Sequence, residues 1–297
     1  MSLPLATVPF YVKGLLPKQG KAMLYGAAKA GKSIIAMQLA RCIGVGEPFL
    51  GLETSQGRVL YLQFEIGTSV LQDRMRQVDK DYDNVYVGTT FDMKLDSRRG
   101  QTQLELAIME VAPNVVILDP LYKILEGDEN DVHDGKIVTD FLDHMIELYG
   151  CSFLIIHHMG KDPSQGARGT SHFNDWHESI IEIKKTSKNG EPLQIKLTTK
   201  LARHTGLPAK PTEAVMENFE FTETEAKMTI LQQVSSYLQL HAVATPSELF
   251  AAGIGSQSSR APVQSALTKL VEAGMVSKVG RGVYEWAPAY ANDNNSA

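Results

Sequence analysis

The sequence predicts an α/β protein with a mostly parallel β-sheet and crossover helices, followed by a small helical domain that ends in a hairpin. Over residues 1–226, short apolar runs alternate with helix-length segments. These runs are continuous rather than alternating, which is typical of parallel strands covered on both faces. From residue 227 the pattern changes to three helical stretches and two short strands. The chain has 297 residues, of which 43% are hydrophobic, so a sizeable core is available.

The elements of the larger part follow one another as strand and helix in turn. Strands are predicted over residues 22–25, 58–64, 84–88, 114–119 and 151–157, and helices over residues 34–40, 68–79, 101–112 and 135–149. Two further strands, 178–183 and 193–197, flank Asn189-Gly190, a dipeptide that favours a hairpin turn. We therefore expect additional antiparallel strands at one edge of the sheet.

The composition changes near residue 208 and suggests a domain boundary. Residues 208–226 mix Pro with Glu, Thr and Lys, and we interpret them as a connector. The larger domain then covers residues 1–207 and the smaller one residues 227–290. Residues 291–297 form a polar tail that we expect to be disordered.

The smaller domain has the element order of a winged helix. Its first and third helices are predicted over residues 227–240 and 258–273. The second begins after Thr245, with which Glu248 completes a capping box. Two strands around a Gly-Arg-Gly turn follow in residues 276–286. Three helices and a hairpin are typical of winged-helix domains, a variant of the helix-turn-helix.

The charge distribution leaves the target of the smaller domain open. The whole chain has a net charge of −5, whereas residues 227–290 hold five basic and three acidic residues. The third helical stretch carries Arg260 and Lys269 as its basic side chains, which is modest for DNA binding. Contact with duplex DNA and contact with another protein are both compatible with this pattern.

The sequence predicts a cytoplasmic protein without a membrane partner. No apolar run is long enough to span a bilayer, and the N-terminus lacks the order of a signal peptide. Cys42 and Cys151 are the two cysteines of the chain. We expect both to be small buried hydrophobic residues rather than a disulfide or a metal pair.

The segment after the first predicted strand fits the phosphate-loop pattern G-x-x-x-x-G-K-[ST] at every fixed position. It lies between a strand and a helix, which is the setting that a phosphate loop requires. Backbone N–H groups would surround a phosphate, Lys32 would reach the β- and γ-phosphates, and Ser33 would bind Mg²⁺. The predicted nucleotide-binding residues are Gly26, Ala27, Ala28, Lys29, Ala30, Gly31, Lys32 and Ser33.

Two carboxylates end predicted strands and are candidates for the chemistry of ATP hydrolysis. Asp119 ends a buried strand, at the position where phosphate-loop proteins hold the Mg²⁺ shell. Glu65 ends an earlier strand, where it can orient and deprotonate an attacking water. The alternatives are a strand-end Asp that caps the next turn, and a surface Glu at the start of a helix.

Histidines and basic residues near the next strands are further candidates. His157 and His158 alternate across a strand, so one can face the γ-phosphate as a sensor while the other is in the core. Arg168 lies in a glycine-containing loop, and Lys200 and Arg203 follow the predicted edge strands. A cation from either place could stabilise charge at a neighbouring subunit's phosphate, although a solvated side chain is the simpler interpretation for each alone.

Together these motifs make residues 10–205 resemble the RecA-like ATPases of the RepA type, a family that holds hexameric replicative helicases of plasmids and phages. The resemblance rests on residues 26–33, 64–65 with 73–74, 116–121 with 127–131, 154–158 with 160–161, and 167–171. It implies a RecA-like sheet, ATP hydrolysis between the subunits of a six-membered ring, and single-stranded DNA in the central channel. It also implies Glu65 as catalytic base, Asp119 on Mg²⁺ and His158 as sensor.

Two functions follow as hypotheses. The first is a DNA-dependent ATPase motor, a ring-forming replicative helicase of a plasmid, phage or other mobile element. The second is an ATP-switched DNA-binding regulator, helicase loader or recombination accessory ATPase. The second stays open because a winged helix is not needed in a minimal ring helicase, and similar ATPases also serve as loaders or recombination accessories. Which cation acts on a neighbouring subunit, Arg203 or Arg168, stays open.

Overall fold

The structure is a computed structural model of the chain, and it describes residues 8–89, 92–127, 131–158, 171–204, 210–224, 230–255 and 260–287. The chain divides into two compact units, Met1–Glu225 and Ala226–Ala297. The predicted tail 291–297 lies outside the described residues.

The larger unit is built from strands and helices that alternate over most of its length. Its strands are β1 Phe10–Val12, β2 Leu16–Pro17, β3 Lys21–Gly26, β4 Val59–Gln63, β5 Val85–Thr89, β6 Val115–Asp119, β7 Ser152–His158, β8 Ser179–Lys185, β9 Gln194–Ala202, β10 Thr212–Glu217 and β11 Glu220–Glu223. Its helices are α1 Lys32–Val45, α2 Thr68–Val78, α3 Arg98–Val111, α4 Val132–Tyr149 and α5 Ser171–Trp176, with a 3₁₀ turn at Leu121–Lys123.

The main sheet has nine strands in the order β11-β10-β9-β8-β3-β7-β6-β4-β5. The six strands from β8 to β5 run parallel, which confirms the predicted mostly parallel sheet with crossover helices. The expectation for the last strands was wrong in one respect. Strand β8 is parallel to β3, with Ser179 opposite Ala22, and antiparallel pairing begins only between β8 and β9.

The core lies on both faces of this sheet, because successive residues of a buried strand point to opposite sides. On one side Ile117 and Leu154 pack with residues of α1 such as Ile35. On the other side Leu118 and Phe153 pack with residues of α3 and α4, Leu104 and Leu142 among them. Both faces of the central strands are therefore apolar, and in the sequence these strands are continuous apolar runs, as is typical of covered parallel strands.

The two cysteines belong to the same core. Cys42 and Cys151 are free and buried, as predicted. Burial raises the pKa of the Cys42 thiol to about 11 and that of Cys151 to about 12. Both are thus held in the thiol form at neutral pH.

The predicted connector 208–226 instead contains two strands of the sheet, β10 and β11. Strand β10 pairs antiparallel with β9, and β11 pairs antiparallel with β10. Ala214 and Phe221 are buried, whereas the Glu and Thr residues of the two strands are half-buried or exposed, namely Thr212, Glu213, Glu217, Glu220, Thr222 and Glu223. Antiparallel strands with one solvated face carry such polar residues, which is why composition alone misled the prediction.

A side chain of α1 fixes strand β11 at the edge of the sheet. The Gln38 amide nitrogen donates to the Phe221 carbonyl oxygen at 2.7 Å, and the Phe221 backbone N–H donates to the Gln38 amide oxygen at 2.8 Å. Next to this pair, Arg41 makes an ion pair of 2.9 Å with Glu220. Gln38 thereby satisfies buried backbone groups as a neighbouring strand would.

The smaller unit has its own core and a small sheet. Its elements are α6 Ile230–His241, β12 Val243–Ala244, α7 Pro246–Ala251, α8 Ala261–Glu272, β13 Val276–Gly280 and β14 Val283–Trp286. The strands pair in the order β12-β14-β13. Leu238, Leu249 and Leu267 are fully buried between these elements. The short strand β12 was not predicted from the sequence.

The start of α7 confirms the predicted capping box. The Thr245 hydroxyl accepts a hydrogen bond from the Glu248 backbone N–H at 3.3 Å, and the Glu248 carboxylate accepts one from the Thr245 N–H at 2.7 Å. Helix α8 begins at Ala261, and the first residues predicted for it, 258–259, lie outside the described part of the chain.

None of the helices that the structure describes is both long enough and apolar enough to cross a membrane.

We expect the Gln38→Leu substitution to lower the free energy of unfolding of the larger unit by about 2 kcal/mol, because it leaves a buried N–H and a buried carbonyl of Phe221 unsatisfied. In calorimetry of the full chain this corresponds to a fall of roughly 4 °C or more in the transition temperature. Gln77→Leu, at an exposed position of α2, is the matched control. Equal transition temperatures for the two variants would contradict the bracing role of Gln38.

Candidate active site

An open cleft lies at the carboxyl ends of the central parallel strands. Parallel sheets bind ligands at this edge, and its volume of about 410 Å³ lies within the range of small-molecule sites. The cleft is lined by Ala28, Lys29, Gly31, Lys32, Ser33, Ile34, Gln63, Glu65, Ile66, Arg74, His158 and Leu193. The predicted phosphate loop, Glu65 and His158 are therefore brought together.

The phosphate loop connects the end of β3 to the start of α1. Lys29 and Gly31 have left-handed backbone conformations, with φ of 60° and 87°. A Cβ atom at Gly31 would lie 2.9 Å from the Phe221 ring and 3.1 Å from a Leu193 methyl carbon. A side chain at Gly26 would collide with the Ile183 carbonyl oxygen. Both glycines are thus required by close packing against β8, β11 and the residue before β9.

Lys32 is buried at the start of α1. Its ammonium group donates to the Gly26 carbonyl oxygen at 3.0 Å and to the Ala27 carbonyl oxygen at 2.8 Å. Burial lowers its pKa to about 8, although the charges of Asp119 and Glu65 act in the opposite direction. A buried cation inside a loop of backbone N–H groups fits an anionic ligand, which would favour its charged form.

Asp119 is buried at the end of β6 within a group of hydrogen-bond donors. Its carboxylate accepts from the Tyr61 hydroxyl at 2.6 Å, from the Gln63 amide at 3.1 Å and from the Ser33 side chain. Burial raises its pKa, and the hydrogen bonds from Tyr61 and Ser33 together with the charge of Lys32 oppose that shift. Ser33 and Asp119 are therefore adjacent oxygen donors beside the phosphate loop.

This pair of oxygens fits Mg²⁺. Mg²⁺ is bound through one or two carboxylates together with substrate phosphates, rather than by a cage of protein ligands. Within the described ranges, no group of three or more His, Cys, Asp and Glu side chains is arranged to hold a metal ion. Ser33 and Asp119 are the residues that would hold Mg²⁺ here.

Glu65 lies two residues beyond the end of β4, and its carboxylate is exposed. Its backbone N–H donates to the Gln63 side-chain oxygen at 2.6 Å, and one carboxylate oxygen accepts from the Tyr122 hydroxyl at 2.8 Å. Gln63 thus bonds to the turn that carries Glu65 and also to the buried Asp119. One amide side chain links the two predicted carboxylates.

The two histidines at the end of β7 differ in exposure. His157 is buried, and its Nδ1 atom lies 2.6 Å from the His158 carbonyl oxygen. His158 is half-buried, lines the cleft and meets the Tyr122 ring edge-on, with the ring centroids 5.3 Å apart. The position of His158 suits a group that senses a ligand in the cleft; its role stays a prediction.

The structure does not bring the candidate trans-acting cations into this cleft. Arg203 follows β9, which runs away from the phosphate loop, and its guanidinium donates to the Asp175 carbonyl oxygen at 2.7 Å. Lys200 pairs with Glu182 at 3.0 Å. Arg203 therefore cannot serve the cleft of its own chain, since it lies at the opposite end of the sheet. Arg168 lies outside the described residues.

Several residues of the site were missed by the sequence reasoning. Tyr61 and Gln63 lie on β4, the strand before Glu65. Because they are two residues apart on a strand, their side chains point to the same face, and both donate hydrogen bonds to the Asp119 carboxylate. Arg74 on α2 belongs to a segment of the family resemblance that was given no role, and it lines the cleft. Tyr122, by contrast, carries no local signal, because its contact with Glu65 joins residues that are far apart in the chain.

Comparison with known proteins identifies a family and a similar fold. Residues 2–164 match the family model described as an AAA domain. This chain belongs to that family. A solved KaiC-like protein from the hyperthermophilic archaeon Pyrococcus horikoshii OT3 is similar in fold, with a TM-score of 0.55 at 14% identity, over 75% of this chain and 100% of that one. No curated protein matches significantly. The chain is thus a RecA-like phosphate-loop ATPase by family and fold.

We expect binding of Mg²⁺ and ATP to be coupled to proton uptake at alkaline pH. Without ligand, the pKa of Lys32 is about 8, so above that value the side chain is largely neutral, and phosphate binding must restore its proton. Calorimetric titrations in two buffers of different ionisation enthalpy should show uptake at about pH 8.5 and little at about pH 6.5.

The Lys32→Arg variant is the control for this coupling, because a guanidinium does not lose its proton in proteins. It should show no such uptake at the alkaline pH. Equal uptake in both proteins would mean that another group is responsible.

Proposed function

We propose that this ATPase is a DNA-stimulated motor, a ring-forming replicative helicase of a plasmid, phage or other mobile element. The observation that supports it most is the cleft lined by the phosphate loop and the exposed Glu65, with the buried Asp119 hydrogen-bonded to the lining residues Ser33 and Gln63. This combination serves hydrolysis, because one carboxylate can bind a metal ion while the other orients and deprotonates a water molecule. The resemblance of the motifs to RepA-type helicases supports the motor.

The phosphate loop would bind the triphosphate. Its backbone N–H groups and the start of α1 provide donors and a positive dipole end, and Lys32 adds a positive charge. Ser33 and Asp119 would hold Mg²⁺, which neutralises phosphate charge when it is bound. Tyr61 and Gln63 fix the Asp119 carboxylate for this purpose.

Glu65 would act as the general base. Its carboxylate lies at the open side of the cleft, where water has access. It would accept a proton from the water molecule whose oxygen attacks the γ-phosphorus, and the bond to the β-phosphate oxygen would break. The products are ADP and phosphate.

Assembly into a ring, with six copies as the expected number, would complete the site. Arg203 is held at the far end of the sheet from its own cleft, so a neighbouring copy is the only one whose phosphates it could approach. Arg168 is the other candidate. Residues after His158 would couple hydrolysis to movement of single-stranded DNA.

A second candidate function is an ATP-switched DNA-binding regulator, helicase loader or recombination accessory ATPase. The smaller unit supports it, because its order of helix, strand, two helices and a hairpin is that of a winged helix. Its exposed surface carries Lys269, Lys278 and Arg281. The same surface exposes Val271 and Val279, so contact with a protein is the alternative to contact with duplex DNA.

We expect Glu65→Gln to lower kcat for ATP hydrolysis by about 10² to 10⁴ while ATP binding is retained, because only the proton acceptor is lost. Lys32→Ala should abolish turnover through loss of phosphate contacts. Steady-state hydrolysis and equilibrium ATP binding would be measured for both variants. Glu53→Gln, at an exposed position outside the cleft, is the control. Substantial hydrolysis by the Glu65→Gln protein would refute the assignment of the base.

If the protein is a DNA-stimulated motor, single-stranded DNA should stimulate ATP hydrolysis. ATP turnover would be compared with and without a single strand, at low and moderate salt, since phosphate contacts weaken as salt rises. Strong stimulation should appear in the wild-type protein and disappear with Lys32→Ala. Slow hydrolysis that is indifferent to DNA would contradict the motor and favour the loader or regulator.

If the protein is a DNA-binding regulator or loader, the full chain should bind duplex DNA in a salt-dependent manner. Arg281→Ala should reduce the slope of log K against log salt by about 1, because one phosphate contact is removed. Arg99→Ala, an exposed arginine of the larger unit, should leave the slope unchanged. Absence of duplex binding would favour a protein partner for the smaller unit.

A further inference from the structure

We propose that Tyr122 is the positioning residue of the hydrolytic reaction: its hydroxyl fixes the Glu65 carboxylate, and its ring connects that carboxylate to His158. This inference rests on the proposed role of Glu65 as general base. The Tyr122 hydroxyl donates to Glu65 Oε1 at 2.8 Å, and the Tyr122 and His158 rings meet edge-on at 5.3 Å.

Glu65 needs such a partner because its side chain is exposed. A long flexible carboxylate at the surface samples several rotamers, and a general base acts only from a narrow range of positions. Gln63 holds the backbone of Glu65, which does not fix the carboxylate three bonds further out. Among the described residues, the hydroxyl of Tyr122 is the side chain that bonds to this carboxylate.

The backbone of Tyr122 is held in place, although its side chain is 39% exposed. It lies in the 3₁₀ turn Leu121–Lys123 directly after β6, and its neighbour Leu121 is fully buried. The Ile124 backbone N–H donates to the Leu121 carbonyl oxygen at 3.0 Å and closes the turn. The hydroxyl is therefore presented from a rigid backbone, which is what preorganisation of a catalytic group requires.

The contact with His158 places the same ring between the base and the end of β7. Edge-to-face packing restrains both rings. A shift of His158 on contact with a phosphate would thus displace the Tyr122 ring. Through the Tyr122 hydroxyl, it would also move the Glu65 carboxylate. Tyr122 gives the cleft a physical link between the state of the ligand and the position of the base.

The first test is Tyr122→Phe, which removes the hydroxyl and keeps the ring against His158. We expect kcat for ATP hydrolysis to fall about tenfold with KM and ATP affinity unchanged, because a hydrogen bond to a charged group is lost and the phosphate contacts remain. Unchanged ATP affinity also shows that the variant is folded. Tyr86→Phe on β5, another partly exposed tyrosine, is the control and should keep the wild-type rate.

The decisive measurement combines Tyr122→Phe with Glu65→Gln in single-turnover hydrolysis. If Tyr122 acts through Glu65, the double variant is as slow as Glu65→Gln alone, because there is no base left to position. A further tenfold loss in the double variant, or a wild-type kcat for Tyr122→Phe, would overturn the proposal. Wild-type hydrolysis by Glu65→Gln alone would instead refute the base itself, so the two failures are distinguishable.

Discussion

The Asp119 carboxylate, buried beside the phosphate loop with the residue only 1% exposed, is the group on which the arrangement of the site depends. A buried charge is costly unless hydrogen bonds and an opposite charge compensate it. Tyr61 and Gln63 from β4, Ser33 from α1 and the charge of Lys32 provide this compensation. Because Gln63 also bonds to the backbone of Glu65, the requirement to satisfy Asp119 sets the position of the turn that carries the second carboxylate.

The phosphate loop depends in turn on strands that lie far away in the sequence. Phe221 of β11 and Leu193 before β9 pack against Gly31, and Gln38 ties α1 to β11 through two hydrogen bonds. The glycine at this position is therefore needed for packing as well as for its backbone conformation.

The parallel strands and the phosphate loop could be predicted because their signals are local. Continuous apolar runs identify covered strands, and Asp119 and Glu65 were found at strand ends. Strands β10 and β11 could not be predicted, since one solvated face gives them the polar composition of a linker. The bond between Tyr122 and Glu65, and the distance of Arg203 from the cleft, depend on how separate strands pair, which no short sequence pattern contains.

The cleft is open on one side, and this exposure is a reason why hydrolysis would require the proposed ring. Asp119 and Lys32 are buried, where electrostatic interactions are strong, whereas the Glu65 side of the cleft is open to solvent. Developing charge is stabilised best where water is excluded and fixed dipoles replace it. The described residues of one chain do not enclose that side. A neighbouring copy placed over it would exclude water and bring a cation from outside the chain, which is a physical reason for hydrolysis to depend on assembly.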